Sequence, residues 1–560
     1  MTEPHNLTDY ETAYEGFEWD SIYAEADWDA PAQINIGHET CDRHADRRGR
    51  IALYHVDTAG ELTTVPFWEL AERSNRFANV LSDLGVERGE RVFSYMPRIP
   101  EHYVAVVGTL KHGAVFGGIN ERFGPEGISY RLEDCDASVL VTTSENRDTV
   151  AEALEDAPSV EHVLVVDRGD GVEATDTEFR DAVADAGRAF ETAETAGEDD
   201  ALLYYTSGTT GLAKGVRHEH RWLAGVAATQ RQAVDLQEGD LYWSTGDLGW
   251  LTGLINTLGA WFWGASVFTY EGEFEPEPWV DLLDEYPVTV LFSVPTAYRM
   301  LREHEDLFAT ASLDLRHALS IGEPLSAGVV EWGEETLGVT IHDTYGQTET
   351  GNMVINNFPA MEVRPGSMGR PMPGVEAAVV DPDTGEVLPP GETGEIAERP
   401  GFPCFFAGYW ERPERTDECF VDGPDGEWYL SGDLATRDED GYFWFEGRAD
   451  DVIISAGYRI GPFEVESTLG EHDAVAEGAV VPKPDDQRGT IVKAYIIPSQ
   501  AAEPNPETAA NIQEYVREEL AAHEYPRDIE FVEELPKTVT GKIRRTELRE
   551  KAQAESGADA

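Results

Sequence analysis

The sequence predicts an α/β protein: a large N-terminal domain of two doubly wound α/β subdomains plus a β subdomain, followed by a small C-terminal α+β domain. Three observations carry this. Between residues 51 and 350, short β-prone runs alternate with stretches of helical period, as in parallel sheets covered on both faces. From 376 to 450, Gly/Pro/Asp turns such as DPDTGEVLPPGETGE and DGPDGEWY interrupt short β-prone runs, the texture of an antiparallel subdomain. After 450 a smaller mixture of strand and helix patterns runs to about 550.

In chain order, residues 1–50 are polar, acidic and aromatic and are expected to wrap the surface of the lobe that follows. Phe67 to Leu84 has apolar residues near helical spacing and stops before Gly85, which predicts a helix. Arg91–Tyr95, Ser138–Thr142 and Val163–Val166 read as short strands. Residues 168–200 carry many acids with Gly and Thr and read as a solvated connection. Strand–loop–helix units resume from 201 to 350. The expected division is 1–449, 450–550 and a frayed tail at 551–560.

Composition narrows the function. The 560 residues include 13 Trp and 22 Phe, so the chain carries the large apolar side chains that disordered proteins lack. The 42 basic and 108 acidic residues give a net charge of −66, spread along the whole chain. Such a surface repels polyphosphate backbones, which argues against nucleic acid as a partner. It suits high salt, where the Debye length falls to about 3 Å near 1 M, and points to a halophile's cytoplasm. Cys41, Cys135, Cys404 and Cys419 form no CxxC pair and no metal-ligand spacing, in keeping with a reduced compartment. The N-terminus lacks the basic and apolar regions of a signal peptide, and the most apolar stretch, Leu258–Tyr270, is too short to span a bilayer.

The chemistry begins at Leu202–Val216, LLYYTSGTTGLAKGV: an apolar strand, a Thr/Ser/Gly loop, then Lys214. Thr206, Ser207, Gly208, Thr209, Thr210 and Gly211 offer backbone amides and hydroxyls to an anion. The spacing is not that of a Walker A loop, because Gly208 and Gly211 stand at the wrong distance from Lys214. Taken alone, such a loop is more often a plain turn than a phosphate site.

The string YTSGTTGLAKGV resembles the phosphate loop of the adenylate-forming superfamily, and six further motifs follow in that family's order. Gly322–Glu323–Pro324 resembles the adenine-flanking segment. Asp343–Thr344–Tyr345–Gly346–Gln347–Thr348–Glu349 resembles the segment whose aromatic residue stacks on adenine and whose Glu holds Mg²⁺. Asp433, in Ser431–Gly432–Asp433, stands where the family binds the ribose. Gly447–Arg448–Ala449–Asp450–Asp451 supplies a second ribose contact, Arg448, and a hinge, Asp450. Ser455–Ala456–Gly457–Tyr458–Arg459 and Pro536–Lys537–Thr538–Val539–Thr540–Gly541–Lys542 complete the set. The wording is similar to the medium-chain acyl-CoA and acetyl-CoA synthetase branch, and the resemblance covers nearly the whole chain.

The resemblance implies an AMP-forming acyl-CoA ligase using ATP, Mg²⁺ and coenzyme A. A carboxylate attacking the α-phosphate brings two anions together, so the work is charge neutralisation and positioning. By resemblance, Lys542 bridges carboxylate and α-phosphate, Lys214 and the loop hydroxyls screen the outer phosphates, and Thr206 with Glu349 holds Mg²⁺. Arg459 meets the AMP phosphate, Ala456 and Gly457 line the pantetheine channel, and Arg517 meets a CoA phosphate. The small C-terminal domain is then mobile about Asp450. No basic string for the nucleotide end of CoA precedes the phosphate loop.

Trp250, Leu251, Thr252, Ile321 and Gly346 match the acyl pocket. Acetate-specific relatives carry a tryptophan where this chain has Gly346, so a medium-chain or branched acid is expected, each additional buried CH₂ contributing about 0.8 kcal/mol. Alternatives are an acetyl/propionyl-CoA synthetase, an aryl-CoA ligase, an adenylation enzyme loading a carrier protein, or a non-catalytic nucleotide-binding protein.

Overall fold

The computed structural model describes residues 5–25, 33–167, 172–173, 175–206, 213–449, 451, 453–455, 458–485, 489–499, 502–520, 524–537 and 543–558. Two large sheets dominate. The first runs in the order 177–178, 162–165, 139–142, 91–95, 115–118, 200–206, 214–219, all parallel except the last strand. The second runs 370–371, 352–356, 341–347, 317–321, 290–293, 241–244, 266–270, 51–56, 62–66, parallel through its centre with antiparallel edges. The strands expected at Arg91–Tyr95 and Ser138–Thr142 lie side by side, the second observed as Val139–Thr142, and the expected helix spans Phe67–Asp83. The hairpin 51–66 precedes the first sheet in sequence yet pairs at the far edge of the second, which period alone does not reveal.

Helices Phe67–Asp83, Pro100–His112 and Leu251–Phe262 pack between the sheets in one shared core. The rings of Phe67 and Tyr103 meet Trp261 at 6.3 and 5.7 Å. A helix apolar on all sides must be buried, and Pro100–His112 is buried from His102 to Lys111. Lys111 is 0% exposed and is neutralised by Asp42, with Asn75 Oδ1 accepting a further hydrogen bond at 2.9 Å. Leu258–Tyr270 is the end of one buried helix and the adjoining strand. Among the described residues no helix is long and apolar enough to cross a membrane.

The expected β subdomain is an antiparallel sheet of 377–380, 394–398, 426–437 and 420–423, with 443–448 beside 426–437. Beyond it come a hairpin of 453–455 with 458–460, an antiparallel pair 475–485 and 489–498, and strand 528–531 parallel to the latter. Helices Pro462–Gly470, Pro506–Glu519 and Arg545–Ala558 accompany these strands.

Three expectations change. Residues 5–25 lie across the far lobe: Tyr10 Oη donates to the Pro371 carbonyl at 2.7 Å and Asn6 N to Asp235 Oδ1 at 2.7 Å. The connection 168–200 contains helix Phe179–Asp185, whose Phe179 ring packs tilted against Phe77 at 5.1 Å and so leaves solvent. The tail expected to fray is helical through Ala558. Ala552 is fully buried, and Glu555 accepts from Lys493 Nζ at 2.6 Å and Lys483 Nζ at 3.1 Å. An apolar stripe and charge pairing hold this stretch where composition suggested solvent.

Candidate active site

Strand Asp200–Thr206 is apolar and buried between its two half-buried ends, then returns as Lys214–Glu219 with Lys214 opposite Thr206. Ser207, Gly208, Thr209, Thr210 and Gly211 lie outside the described residues. Residues 407–410 extend the sheet beyond the returning strand. Ala407 N donates to the Arg217 carbonyl at 2.9 Å and Trp410 N to the Gly215 carbonyl at 2.7 Å. This pairing sets Tyr409 against Lys214, whose Nζ is 2.9 Å from the phenol oxygen and 4.0 Å from the ring centroid. The same phenol donates to Glu349 Oε1 at 2.7 Å.

Glu349 is only 9% exposed. Its carbonyl accepts from Phe406 N at 2.9 Å, while His218 Nε2 donates to the neighbouring Thr348 carbonyl at 2.8 Å. Burial, and then the Glu349 carboxylate, push the Tyr409 phenol far above the ordinary tyrosine range, so it stays protonated and can donate.

A second cluster centres on Asp433, which is 5% exposed. Its Oδ2 accepts from Tyr345 Oη at 2.7 Å and Gln347 Nε2 at 2.6 Å, and its Oδ1 from Arg448 Nη1 at 2.9 Å. Asp433 and Arg448 are cross-strand partners, so the sheet itself fixes the pair. Tyr429 Oη donates to Gln347 Oε1 at 3.0 Å, which orients the amide. Burial first, then Asp433 and Glu398, hold the Tyr345 phenol well above its usual range. Glu398 sits below in full burial, and burial, then Asp433 and Glu395, push its carboxyl up to about 8.

The turn 322–324, expected to flank adenine, is held by Glu323, whose Oε2 accepts from Thr296 Oγ1 at 2.6 Å and Arg299 Nη2 at 2.7 Å. Gly322 has φ +94 and nothing within 4 Å of where a Cβ would project, so its face is open, and Pro324 follows half-buried. Asp343 and Thr344 turn inward. Burial raises the Asp343 carboxyl strongly, and Thr344 Oγ1 donates to the Ser320 carbonyl at 2.7 Å.

Among the residues expected to line the acyl pocket, the Trp250 indole packs on Phe123 at 5.6 Å, and the Arg131 guanidinium covers Phe123 at 3.8 Å. Leu251 and Ile321 are nearly buried, and Thr252 is half-buried. The reasoning from Gly346 needs correction. A Cβ there would lie 2.0 Å from the Asn352 carbonyl oxygen, so the adjacent strand already fills the direction a side chain would take, and the missing side chain leaves no void.

Lys542, Asp450, Ala456 and Gly457 lie outside the described residues, and the Arg459 side chain is likewise not described. Lys537 and Ile543 bridge on either side of the segment containing Lys542, and Lys537 Nζ donates to Glu477 at 2.8 Å. Arg517 is exposed in the last turn of its helix, 3.6 Å from Glu514. Next to the expected hinge, Asp451 pairs with Arg549 at 2.9 Å.

The described residues contain no group of three or more His, Cys, Asp or Glu able to hold a metal by themselves. Mg²⁺ commonly takes one or two carboxylates and completes its shell with substrate phosphates and water. Thr206 Oγ1 and Glu349, whose Oε2 Tyr409 leaves open, suit that hard-oxygen demand.

Sequence reasoning missed Tyr409, Tyr429 and His218. Tyr409 lies in FAGYWERP, where closely spaced aromatics read as core, and only the tertiary pairing of 407–410 with 215–217 marks it.

The family described as "AMP-binding enzyme" matches residues 40–410, and its C-terminal domain matches 464–542. The acetyl-coenzyme A synthetase of Bacillus subtilis (strain 168) is 42% identical over 97% of this chain and 95% of its own length. The human mitochondrial acyl-coenzyme A synthetase ACSM4 is 38% identical over 93% and 91%. The crystal structure of the anthranilate CoA ligase AuaEII in complex with anthranoyl-AMP superposes with a TM-score of 0.86 at 30% identity, over 97% of this chain and all of that one. The chain therefore belongs to the AMP-binding enzyme family and is an AMP-forming acid–CoA ligase, whose reaction uses ATP, Mg²⁺ and coenzyme A.

Proposed function

We propose that this ligase activates a medium-chain or branched carboxylic acid in two steps, with roles divided as follows. A carboxylate oxygen attacks the α-phosphorus of ATP, and the bond to the bridging oxygen breaks to release pyrophosphate and leave an acyl-adenylate. The thiolate of CoA then attacks the acyl carbon, and AMP departs with the mixed-anhydride oxygen. The observation that carries this reading is the juxtaposition of Lys214, Tyr409 and Glu349, with the Asp433 cluster as its nucleoside counterpart.

Lys214 and the loop hydroxyls would screen the outer phosphates, and Tyr345, Asp433 and Arg448 would hold adenosine. Thr206 and Glu349 would hold Mg²⁺, which when bound offsets phosphate charge. Lys542 would neutralise the approach of carboxylate to α-phosphate, with Asp450 the hinge of a domain beginning there. After rotation, Ala456 and Gly457 would line the thioester channel and Arg517 would meet CoA, while Arg459 contacts the AMP phosphate. A cytoplasmic setting fits the four free cysteines.

For the acid, the support is that the Trp250 indole packs against Phe123, and that ring against Arg131: with Trp250 lining the acyl pocket, an indole engaged by these neighbours would leave room for a chain longer than acetate. The test is pyrophosphate release from ATP in ~2 M KCl, a concentration that screens the acidic surface, with acids from acetate to decanoate plus branched and aromatic ones, with and without CoA. Acyl-CoA formed best from medium or branched acids supports the reading, whereas preference for acetate or benzoate replaces it. Lys542→Ala should abolish forward adenylation while ATP still binds; unchanged turnover would remove that lysine from the mechanism.

A further inference from the structure

We propose that Tyr409 is a positioning residue for Mg·ATP: its hydroxyl fixes the Lys214 ammonium and the Glu349 carboxylate in one frame before the nucleotide arrives. The inference rests on the phosphate-side reading above and extends it to a residue outside every motif of the sequence.

The geometry is specific. A phenol has one proton to give and lone pairs to receive with. Tyr409 gives its proton to Glu349 Oε1 at 2.7 Å and receives from Lys214 Nζ at 2.9 Å. An ammonium and a carboxylate facing one chamber would otherwise collapse into a direct ion pair, which the incoming phosphates and metal would have to break. The interposed hydroxyl satisfies both charges while leaving Glu349 Oε2 and the remaining Nζ protons available.

Tyr409 is itself well fixed. It is 4% exposed and packs edge-on against Phe406 at 5.3 Å. Its backbone N donates to Thr416 Oγ1 at 2.9 Å. The segment carrying it touches three sheets. It extends the first beyond strand 214–219, binds the Glu349 carbonyl through Phe406, and meets the β subdomain where the Phe405 and Phe406 rings pack on Tyr429 at 5.3 and 5.7 Å. Cys419 Sγ lies 3.9 Å from the phenol oxygen.

Tyr409→Phe tests this, because the ring and its packing persist while both hydrogen bonds go. Isothermal titration of AMP and of Mg·ATP against the wild type and the variant reads the effect without turnover. Two charge-assisted bonds are lost at the phosphate end alone, so Mg·ATP should bind about tenfold more weakly. AMP, which lacks the outer phosphates, should keep its affinity, and the Mg²⁺ needed for half-maximal pyrophosphate release should rise. Equal loss for AMP and Mg·ATP, or no loss for either, overturns the proposal. Lys214→Ala separates the levels: if it weakens Mg·ATP while Tyr409→Phe does not, the tyrosine's role falls and the phosphate reading stands. If Lys214→Ala also leaves Mg·ATP binding unchanged, the phosphate reading fails and the proposal fails with it.

Discussion

Arg448 lies directly across the strand pair from Asp433, and its guanidinium holds the carboxylate at 2.9 Å while Tyr345 and Gln347 hold the other oxygen. One backbone register thus presets the carboxylate proposed above as the acceptor for the nucleoside.

Removing the guanidinium leaves a buried carboxylate with neutral donors only. Arg448→Ala should weaken both AMP and Mg·ATP by about 10- to 100-fold, the range of a charge-assisted hydrogen bond of about 1.5–3 kcal/mol. Equilibrium titration with each nucleotide checks it. The parallel loss for the two ligands contrasts with the split expected at Tyr409.

Glu398 should make stability fall as pH rises. Its carboxyl is pushed up to about 8 from an ordinary 4.5, by burial and then by Asp433 and Glu395. Between those values the folded protein keeps a proton that the unfolded chain has released, so unfolding becomes easier by about 1.4 kcal/mol per pH unit. Below 4.5 both states are protonated, and above 8 neither is, so the effect is confined to that window. Glu398→Leu should therefore raise the melting temperature relative to wild type progressively from pH 5 to pH 8. A constant difference across that range would refute the assignment.

Net charge sets a third expectation. With −66 on 560 residues, dilution of salt should destabilise the fold by self-repulsion. Melting by circular dichroism should shift upward between ~0.2 M and ~2 M KCl, over which the Debye length shrinks severalfold. A salt-independent melting temperature would mean that the surface ion pairs already offset the repulsion.

Much of this was legible beforehand because it is local. Strand Arg91–Tyr95, helix Phe67–Asp83 and the turn-rich β subdomain follow from period and turn residues within short windows. The contact of Tyr345 and Arg448 with Asp433 was not spelled out by spacing, yet all three stood in motifs. What escaped depends on distant packing. Tyr409 gains its meaning from strand 214–219, nearly 200 residues earlier, and the last helix is ordered by Lys483 and Lys493 on strands that composition could not bring to it. Gly346 shows the opposite failure: a small residue suggested room, and the neighbouring strand had already taken it.

Segment 404–410 also bears on how the chain folds. It joins three sheets whose strands are far apart in sequence, so Lys214 and Glu349 meet only after those sheets have docked. On the phosphate-side reading proposed above, a half-folded chain with one sheet complete lacks the phosphate site. Mg·ATP would then bind the finished state alone and stabilise it by mass action, by about 2.7 kcal/mol at a hundredfold excess over its dissociation constant. The enzyme's own substrate thus acts as a selective brace for the fully assembled molecule, favouring it over every partly built competitor.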